Sequence, residues 1–500
     1  MAFKKPLSDL FAALLLVGAV CAPASLADLP PLIPRKVLFG DAEREQPDIS
    51  PDGKYLVYSA PNKNRVHNVW LRTIGKNDDH MITDAHKGEL AGPWWQWDGR
   101  HIIYSQDFDG DENWHFYQTD IATRVTRDLT PFQGARATMI ALDQKYPNRL
   151  LITLNTRDSR YNDAYEVNLT DGAIKLLVKN PGDVDHWTAD RNLQIRAATA
   201  ITKKGITEVR VRDTINSPWR TLISWGPEDE GDIVGFSADN RSLLLTSSVG
   251  ANTKRLLKLD LLSKKQSVLA EDSTFDIAGV LTDPKTHKLE AVSVIKDRPR
   301  WQVLDSSLKG EFAKLESMGG TIWIGNKTRA NDKWIVSVSS DTDYPAYYLF
   351  DRATGKTDFL YKSRPAFSNY ILSKMQSIDI TARDGTILHS YLTLPVGVEP
   401  KHLPAVIDVH GGPWSRNVWG FSNTAQWLAN RGYVVLQVNF RGSTGYGKKF
   451  VNAGDRQWGA KMNTDIIDAK DWLVAKGYAD PGKVCISGSS YGGYETLAAA

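Results

Sequence analysis

A polar turn followed by a β-rich run recurs seven times along this 500-residue chain, and that period constrains the fold more than any other feature. The clearest copies are Asp52-Gly53-Lys54-Tyr55-Leu56-Val57-Tyr58 and Asp98-Gly99-Arg100-His101-Ile102-Ile103-Tyr104. Weaker copies turn at 148, 191, 240, 287 and 332, so the spacing runs from 43 to 49 residues. That spacing suits one four-stranded propeller blade. A second alternating run follows each turn-strand, as in Trp114-His115-Phe116-Tyr117 and Tyr347-Tyr348-Leu349-Phe350. A lone blade leaves both faces uncovered, whereas seven stacked radially close a ring without exposed edges. The pattern predicts an N-terminal segment at 28–45 and a seven-bladed β-propeller over 46–370. Two unrelated β-sandwiches are the competing arrangement, and the regular spacing argues against them.

Beyond about residue 370 strands begin to alternate with helices. A hairpin turning at Asp384-Gly385 leads into the apolar strand Ala405-Val406-Ile407-Asp408-Val409. Residues 424–431 read as a helix ended by Gly432, 433–440 as a buried strand, and 463–476 as a helix stopped by Gly477. Val484-Cys485-Ile486-Ser487 forms the next strand, with Cys485 expected to be buried in it. This β-α-β-α-β order implies a parallel, doubly wound α/β sheet over 371–500.

Directly after that last strand stands Gly488-Ser489-Ser490-Tyr491-Gly492-Gly493, a G-x-S-x-G centred on Ser490, with helix-forming residues behind it. Strand, turn and helix in that order are the setting of a nucleophile elbow, in which glycines make room for a sharp turn that exposes a serine hydroxyl. Such a site also takes N–H donors for a developing oxyanion. Tyr491 offers one, and Gly411 or Gly412 in His410-Gly411-Gly412-Pro413, after the strand ending at Val409, offers the other. His410 itself reads as a loop-shaping residue, since in this sheet type the base follows the nucleophile in the chain.

Two other motifs are set aside. The stretch Gly442 to Lys449 resembles a phosphate-binding loop, but Lys449 stands where a Ser or Thr would hold magnesium. Asp107, Asp109, Asp111 and Glu112 resemble a calcium loop, but Gly110 is misplaced for an EF-hand, so a solvated acidic turn is expected. No cofactor and no metal is expected. A composition of 42% hydrophobic and 24% charged residues excludes a disordered chain and a polytopic membrane protein. The near-balanced charge, +3 net, gives no basic stripe for nucleic acid.

Lys4 and Lys5 before an apolar run from Leu10 to Ala22, then Ser25-Leu26-Ala27, read as a signal peptide (1–27) cleaved near Ala27. The run is too short for a stable membrane anchor. The product is expected to be exported, periplasmic or secreted.

Together, His410-Gly411-Gly412-Pro413, Asn439 to Gly447, the Trp458-Gly459 to Trp472-Leu473 stretch and Gly488 to Tyr494 resemble the prolyl oligopeptidase family of serine peptidases, in particular its acylaminoacyl-peptidase and dipeptidyl-peptidase-like bacterial members. The resemblance implies a propeller capping an α/β-hydrolase domain, access limited to short peptides, and Ser490 as the nucleophile of an acyl-enzyme mechanism. No adjacent glutamate pair is seen in the propeller, which favours an acylaminoacyl or oligopeptidase type; Asp111-Glu112-Asn113 is the acidic stretch placed to face substrate. A non-peptidase esterase, or a binding propeller carrying a relic hydrolase segment, are the alternatives. In this fold the triad runs Ser, acid, His, yet all ten histidines, His67 to His410, precede Ser490. The triad Asp and His are therefore expected beyond residue 500. The 500 residues by themselves are expected to be inactive, with the last strand's far edge exposed.

Overall fold

A computed structural model of the chain describes residues 29–499. Seven consecutive antiparallel sheets run from Glu45 to Lys362 and form a propeller. Each predicted turn joins the first and second strands of its blade: the seven second strands begin at 55, 101, 149, 195, 242, 289 and 333. Gly53 and Gly99 take φ of +73° and +72°, and in the weaker copies Asn240, His287 and Asn331 hold φ of +56° to +59°. The turn geometry is kept while the residue changes, and asparagine tolerates that conformation.

The propeller has no single core. A separate apolar cluster fills each seam between neighbouring blades, for example Leu150, Ile152 and Val167 of blade 3 against Ile103 and Phe116 of blade 2. The ring closes by the same packing, with Ile49, Leu56 and Tyr58 of blade 1 against Ile335, Leu349 and Tyr361 of blade 7. Second strands are accordingly buried on both faces, as in Ser242–Ser247, while outermost strands such as Gln266–Ala270 are largely exposed. Blade 6 departs from the four-stranded expectation. It has three strands, and Ser306–Leu308 with Lys309–Glu316 supplies helical turns whose Leu308, Phe312 and Leu315 pack on Trp334 and Phe350 of blade 7.

Asp48, on the first strand of blade 1, faces a cavity of about 540 Å3 lined by Trp94, Trp97, Met139 and Lys327 along the ring's inner strands. Its carboxylate accepts the Trp95 N–H at 2.9 Å, but burial pushes its pKa up to about 7. The protonated form is therefore favoured by the folded state. Stability from this group is full below the unfolded value of 3.8 and is lost as pH rises to about 7. Asp48→Asn, which keeps an acceptor, is expected to stabilise the protein little at pH 4 and by an amount on the order of 4 kcal/mol at pH 8. Melting curves of both proteins at the two pH values check this, and an equal gain at each would contradict it.

After the propeller, β1 (Met375–Thr381) and β2 (Ile387–Thr393) form the Asp384-Gly385 hairpin, followed by β3 (Leu403–Val409), β4 (Val434–Val438) and β5 (Ala479–Gly488). The sheet order is β1-β2-β4-β3-β5, with β4, β3 and β5 mutually parallel. Connecting helices are α1 (Asn423–Ala429), capped by Ser422 Oγ on the Ala425 N–H, α2 (Lys448–Asn452) and α3 (Lys461–Ala475). Alternate residues Ala405, Ile407 and Val409 of β3 and Val434, Leu436 and Val438 of β4 pack on Met462, Ile466, Ala469 and Leu473 of α3.

Cys485 corrects an expectation: it is exposed, not buried. β5 is the edge strand of the sheet among the described residues, and Val484 to Gly488 alternate between exposed and half-buried. β5 also begins at Ala479, earlier than the sequence pattern suggests.

Residues 29–40 pack against the hydrolase part, with Ile33 and Leu38 in a cluster that also takes in Tyr344 of blade 7. The Ile33 N–H donates to Asn430 Oδ1 at 2.7 Å, Asn430 Nδ2 donates to the Pro31 carbonyl, and Phe39 meets Trp427 edge-on. The expected signal peptide lies outside the described residues.

Candidate active site

The site forms where β3, β4 and β5 end together. Ser490 stands between β5 and α4 (Tyr491–Ala498) with φ +54° and ψ −121°, a strained conformation for a residue with a side chain. The turn closes tightly over β3: a Cβ on Gly492 would lie 2.1 Å from the Val409 carbonyl oxygen, and one on Gly488 2.6 Å from it. Gly493 has no contact nearer than 3.6 Å. Gly492→Ala is thus expected to destabilise the protein by at least about 3 kcal/mol, while Gly493→Ala is tolerated. Soluble yield and denaturation midpoints check the pair; comparable stability for both variants would contradict the packing argument.

The loop after β3 lies against this turn. A Cβ on Gly411 would sit 3.3 Å from Ser490 Cβ and 3.8 Å from its Oγ, so Gly411 and Ser490 are in contact. Gly412 takes φ +123° and turns toward Trp414 and Ser415. His410 fixes the intervening peptide: Nδ1 lies 2.7 Å from the Gly411 carbonyl and Nε2 2.9 Å from Ser443 Oγ. Burial lowers the imidazole to about 4, so the ring is neutral at pH 7. Nδ1–H donates to Gly411, and the ring stacks on Phe440 at 4.5 Å. With its carbonyl held by His410, the trans Gly411–Gly412 peptide aims its N–H away from the histidine. Both His410 nitrogens are engaged, and among the described residues no histidine hydrogen-bonds Ser490.

Tyr491 opens α4, so its N–H is one of those a helix leaves unpaired, at the positive end of the helix dipole. Its side chain is buried among Phe440, Met462 and Trp458. The phenol donates to Glu495, and Asn463 Nδ2 donates to the other Glu495 oxygen at 3.1 Å. Burial and that carboxylate push the Tyr491 phenol well above its ordinary range. Sequence reasoning missed Glu495, Asn463 and Ser443. The signal for Glu495 was its i+4 position from Tyr491 on one helix face.

Arg441, directly after β4, anchors the site to the rest of the sheet. Its backbone N–H and guanidinium donate to Asp465 of α3, and the guanidinium also spans to Asp384 in the β1–β2 turn at 2.8 Å. Arg441 holds the Asp384 carboxyl well below the usual range.

The two motifs set aside have other uses. Gly442 to Lys449 docks on blade 5: the Lys448 N–H donates to the Asn252 carbonyl and Lys448 Nζ to Asp229 at 2.6 Å. Asp111 spends its carboxylate on the N–H groups of Phe108 and Asn113, closing its own loop. That loop joins the second and third strands of blade 2, the end that in blades 5 to 7 meets the hydrolase sheet. There Asp276 N donates to Gly445 O, Arg416 to Ile295 O, Tyr391 to Asp297 O and Gln426 to Asp341 O.

A propeller seated on an α/β-hydrolase sheet, with a glycine-lined serine turn at the strand ends, defines a class of two-domain hydrolases. A model of the prolyl oligopeptidase family matches residues 419–500. Dipeptidyl aminopeptidase BIII of Pseudoxanthomonas mexicana is 37% identical over 477 residues, covering 93% of this chain and 69% of the relative. Dipeptidyl peptidase family member 6 of Caenorhabditis elegans is 30% identical over 510 residues, covering 94% and 68%. Among solved structures, a Mycobacterium tuberculosis puromycin-hydrolyzing peptidase superposes with a TM-score of 0.73 at 20% identity, covering 94% of this chain and 77% of that one. The chain belongs to the prolyl oligopeptidase family, and its class is that of serine-type peptidases.

Proposed function

We propose that the protein hydrolyses short peptides through an acyl-enzyme on Ser490, with the Tyr491 N–H and a Gly411 or Gly412 N–H holding the oxyanion. The observation that carries this reading is the contact of Gly411 with the Ser490 side chain, which brings the loop after β3 to the serine and supports it as a source of an oxyanion donor. Attack by Oγ on a peptide carbonyl takes a base to receive its proton. Among the described residues no histidine hydrogen-bonds Ser490. In this fold the acid and the histidine of the triad follow the serine in chain order.

The propeller covers the strand ends, which supports small peptides over folded proteins as substrates. The dipeptidyl names of the two relatives support release from a free amino end. The lack of an adjacent glutamate pair supports the acylaminoacyl type instead. Hydrolysis of matched peptidyl anilides and alkyl esters, each with the amino end free or acetylated, separates these readings. Faster turnover of peptidyl anilides than of simple esters is expected, and activity on esters alone would replace the peptidase reading with an esterase. Export to the periplasm or medium is proposed on the N-terminal pattern and is tested by fractionation.

A further inference from the structure

Glu495 is an acidic side chain sealed inside the hydrolase part, and the proposed chemistry makes no use of it. It is fully buried, and its two carboxyl oxygens accept hydrogen bonds from the Tyr491 phenol and, at 3.1 Å, from Asn463 Nδ2. Taking a carboxylate out of water is costly, and an apolar side chain of similar volume fills such a position without that cost. What the acid provides that an apolar side chain does not is a grip on the phenol.

Tyr491 is the residue whose backbone N–H is proposed as an oxyanion donor. It lies one helical turn before Glu495 on α4, and Asn463 is in the first turn of α3. Through Glu495 the start of α4 is tied to α3, while Gly488 and Gly492 fit the same turn over the Val409 carbonyl. Ser490 between them holds φ +54°, a conformation that persists only where its surroundings over-determine it. The Tyr491 ring also packs on Phe440, centroids 5.4 Å apart, and Phe440 stacks at 4.5 Å on His410, whose Nδ1–H holds the Gly411 carbonyl. One buried ring therefore spaces the two backbone segments proposed to supply the oxyanion donors, and Glu495 keeps Tyr491 in that stack.

We propose that Glu495 is a positioning residue for the oxyanion site: through the Tyr491 phenol it fixes the direction of the Tyr491 N–H against the Gly411–Gly412 loop. The assignment rests on the peptidase reading of Ser490. A donor displaced by about 1 Å loses much of its effect on the transition state, so the loss falls on kcat. In the natural protein, Tyr491→Phe and Glu495→Met each break the bond from one side. Each is expected to lower kcat on a peptidyl anilide by about 10- to 100-fold, with KM within about twofold. A peptidyl aldehyde, whose adduct with a serine carries the oxyanion, is expected to lose affinity by the same factor, while the carboxylate product of the same peptide binds as before. The double variant Tyr491→Phe with Glu495→Met separates positioning from stability. It strands neither the phenol nor the carboxylate, so its melting temperature is expected to return toward that of the unaltered protein while kcat stays low. Recovery of rate and melting temperature together would overturn the proposal and leave Glu495 a purely structural role. Single variants with unchanged kcat, or an aldehyde affinity that does not follow kcat, would overturn it as well. Failure of the peptidase reading looks different: the unaltered protein cleaves no anilide and a fluorophosphonate does not label Ser490.

Discussion

Ser490→Ala in the natural protein is expected to lower kcat on a peptidyl anilide by at least about 10^4-fold, with substrate affinity and melting temperature close to those of the unaltered protein. The size follows from the role proposed for the hydroxyl: in that reading no acyl-enzyme forms without it, and the proposed donors, the N–H groups of Tyr491 and Gly411 or Gly412, are left to bind a carbonyl that nothing attacks. A neutral effect on folding follows from the turn itself. Its fit over β3 depends on Gly488 and Gly492 against Val409, and Ser490 Oγ makes no hydrogen bond among the described residues. Activity within about tenfold of the unaltered protein would move the chemistry elsewhere and favour the propeller as the functional part.

Arg441→Met is expected to cost about 3–5 kcal/mol of stability, the largest loss from any single side chain near the site. Asp465 is fully buried and takes three hydrogen bonds from Arg441, so removing the guanidinium strands a carboxylate inside the sheet–helix interface. The backbone N–H bond survives, but the link from β4 to the Asp384 turn is lost. Denaturant unfolding monitored by tryptophan fluorescence measures the loss, and the double variant Arg441→Met with Asp465→Leu is expected to recover part of it because both charges leave together. A single-variant loss below about 1 kcal/mol would mean that the pair is solvated in solution.

Much of the fold was legible because its grammar is local. A glycine or asparagine turn followed by alternating apolar residues marks the first hairpin of each blade, and that signal survives where His287 or Asn331 replaces glycine. The switch to helix-length patterns after residue 370 is equally local. Blade 6 escaped because a repeat count does not test each outer strand, although Leu308, Phe312 and Leu315 already carry helical spacing. Cys485 escaped for a different reason: the apolar alternation of Val484 and Ile486 identifies a strand but not what lies beside it. The strand–Ser490–helix turn and the Gly411-Gly412 loop were readable from motif and order. Chain order likewise kept His410 from the role of base, and the structure adds that both its nitrogens are engaged. The contacts that fix the site join residues far apart in sequence, as Asp276 with Gly445 or Ile33 with Asn430. No window of sequence reports them.

The most direct test of the central claim is to label the natural protein with a fluorophosphonate probe and map the modified peptide. The account predicts a single adduct on Ser490, absent in Ser490→Ala; an unlabelled protein, or an adduct on another serine, would contradict it.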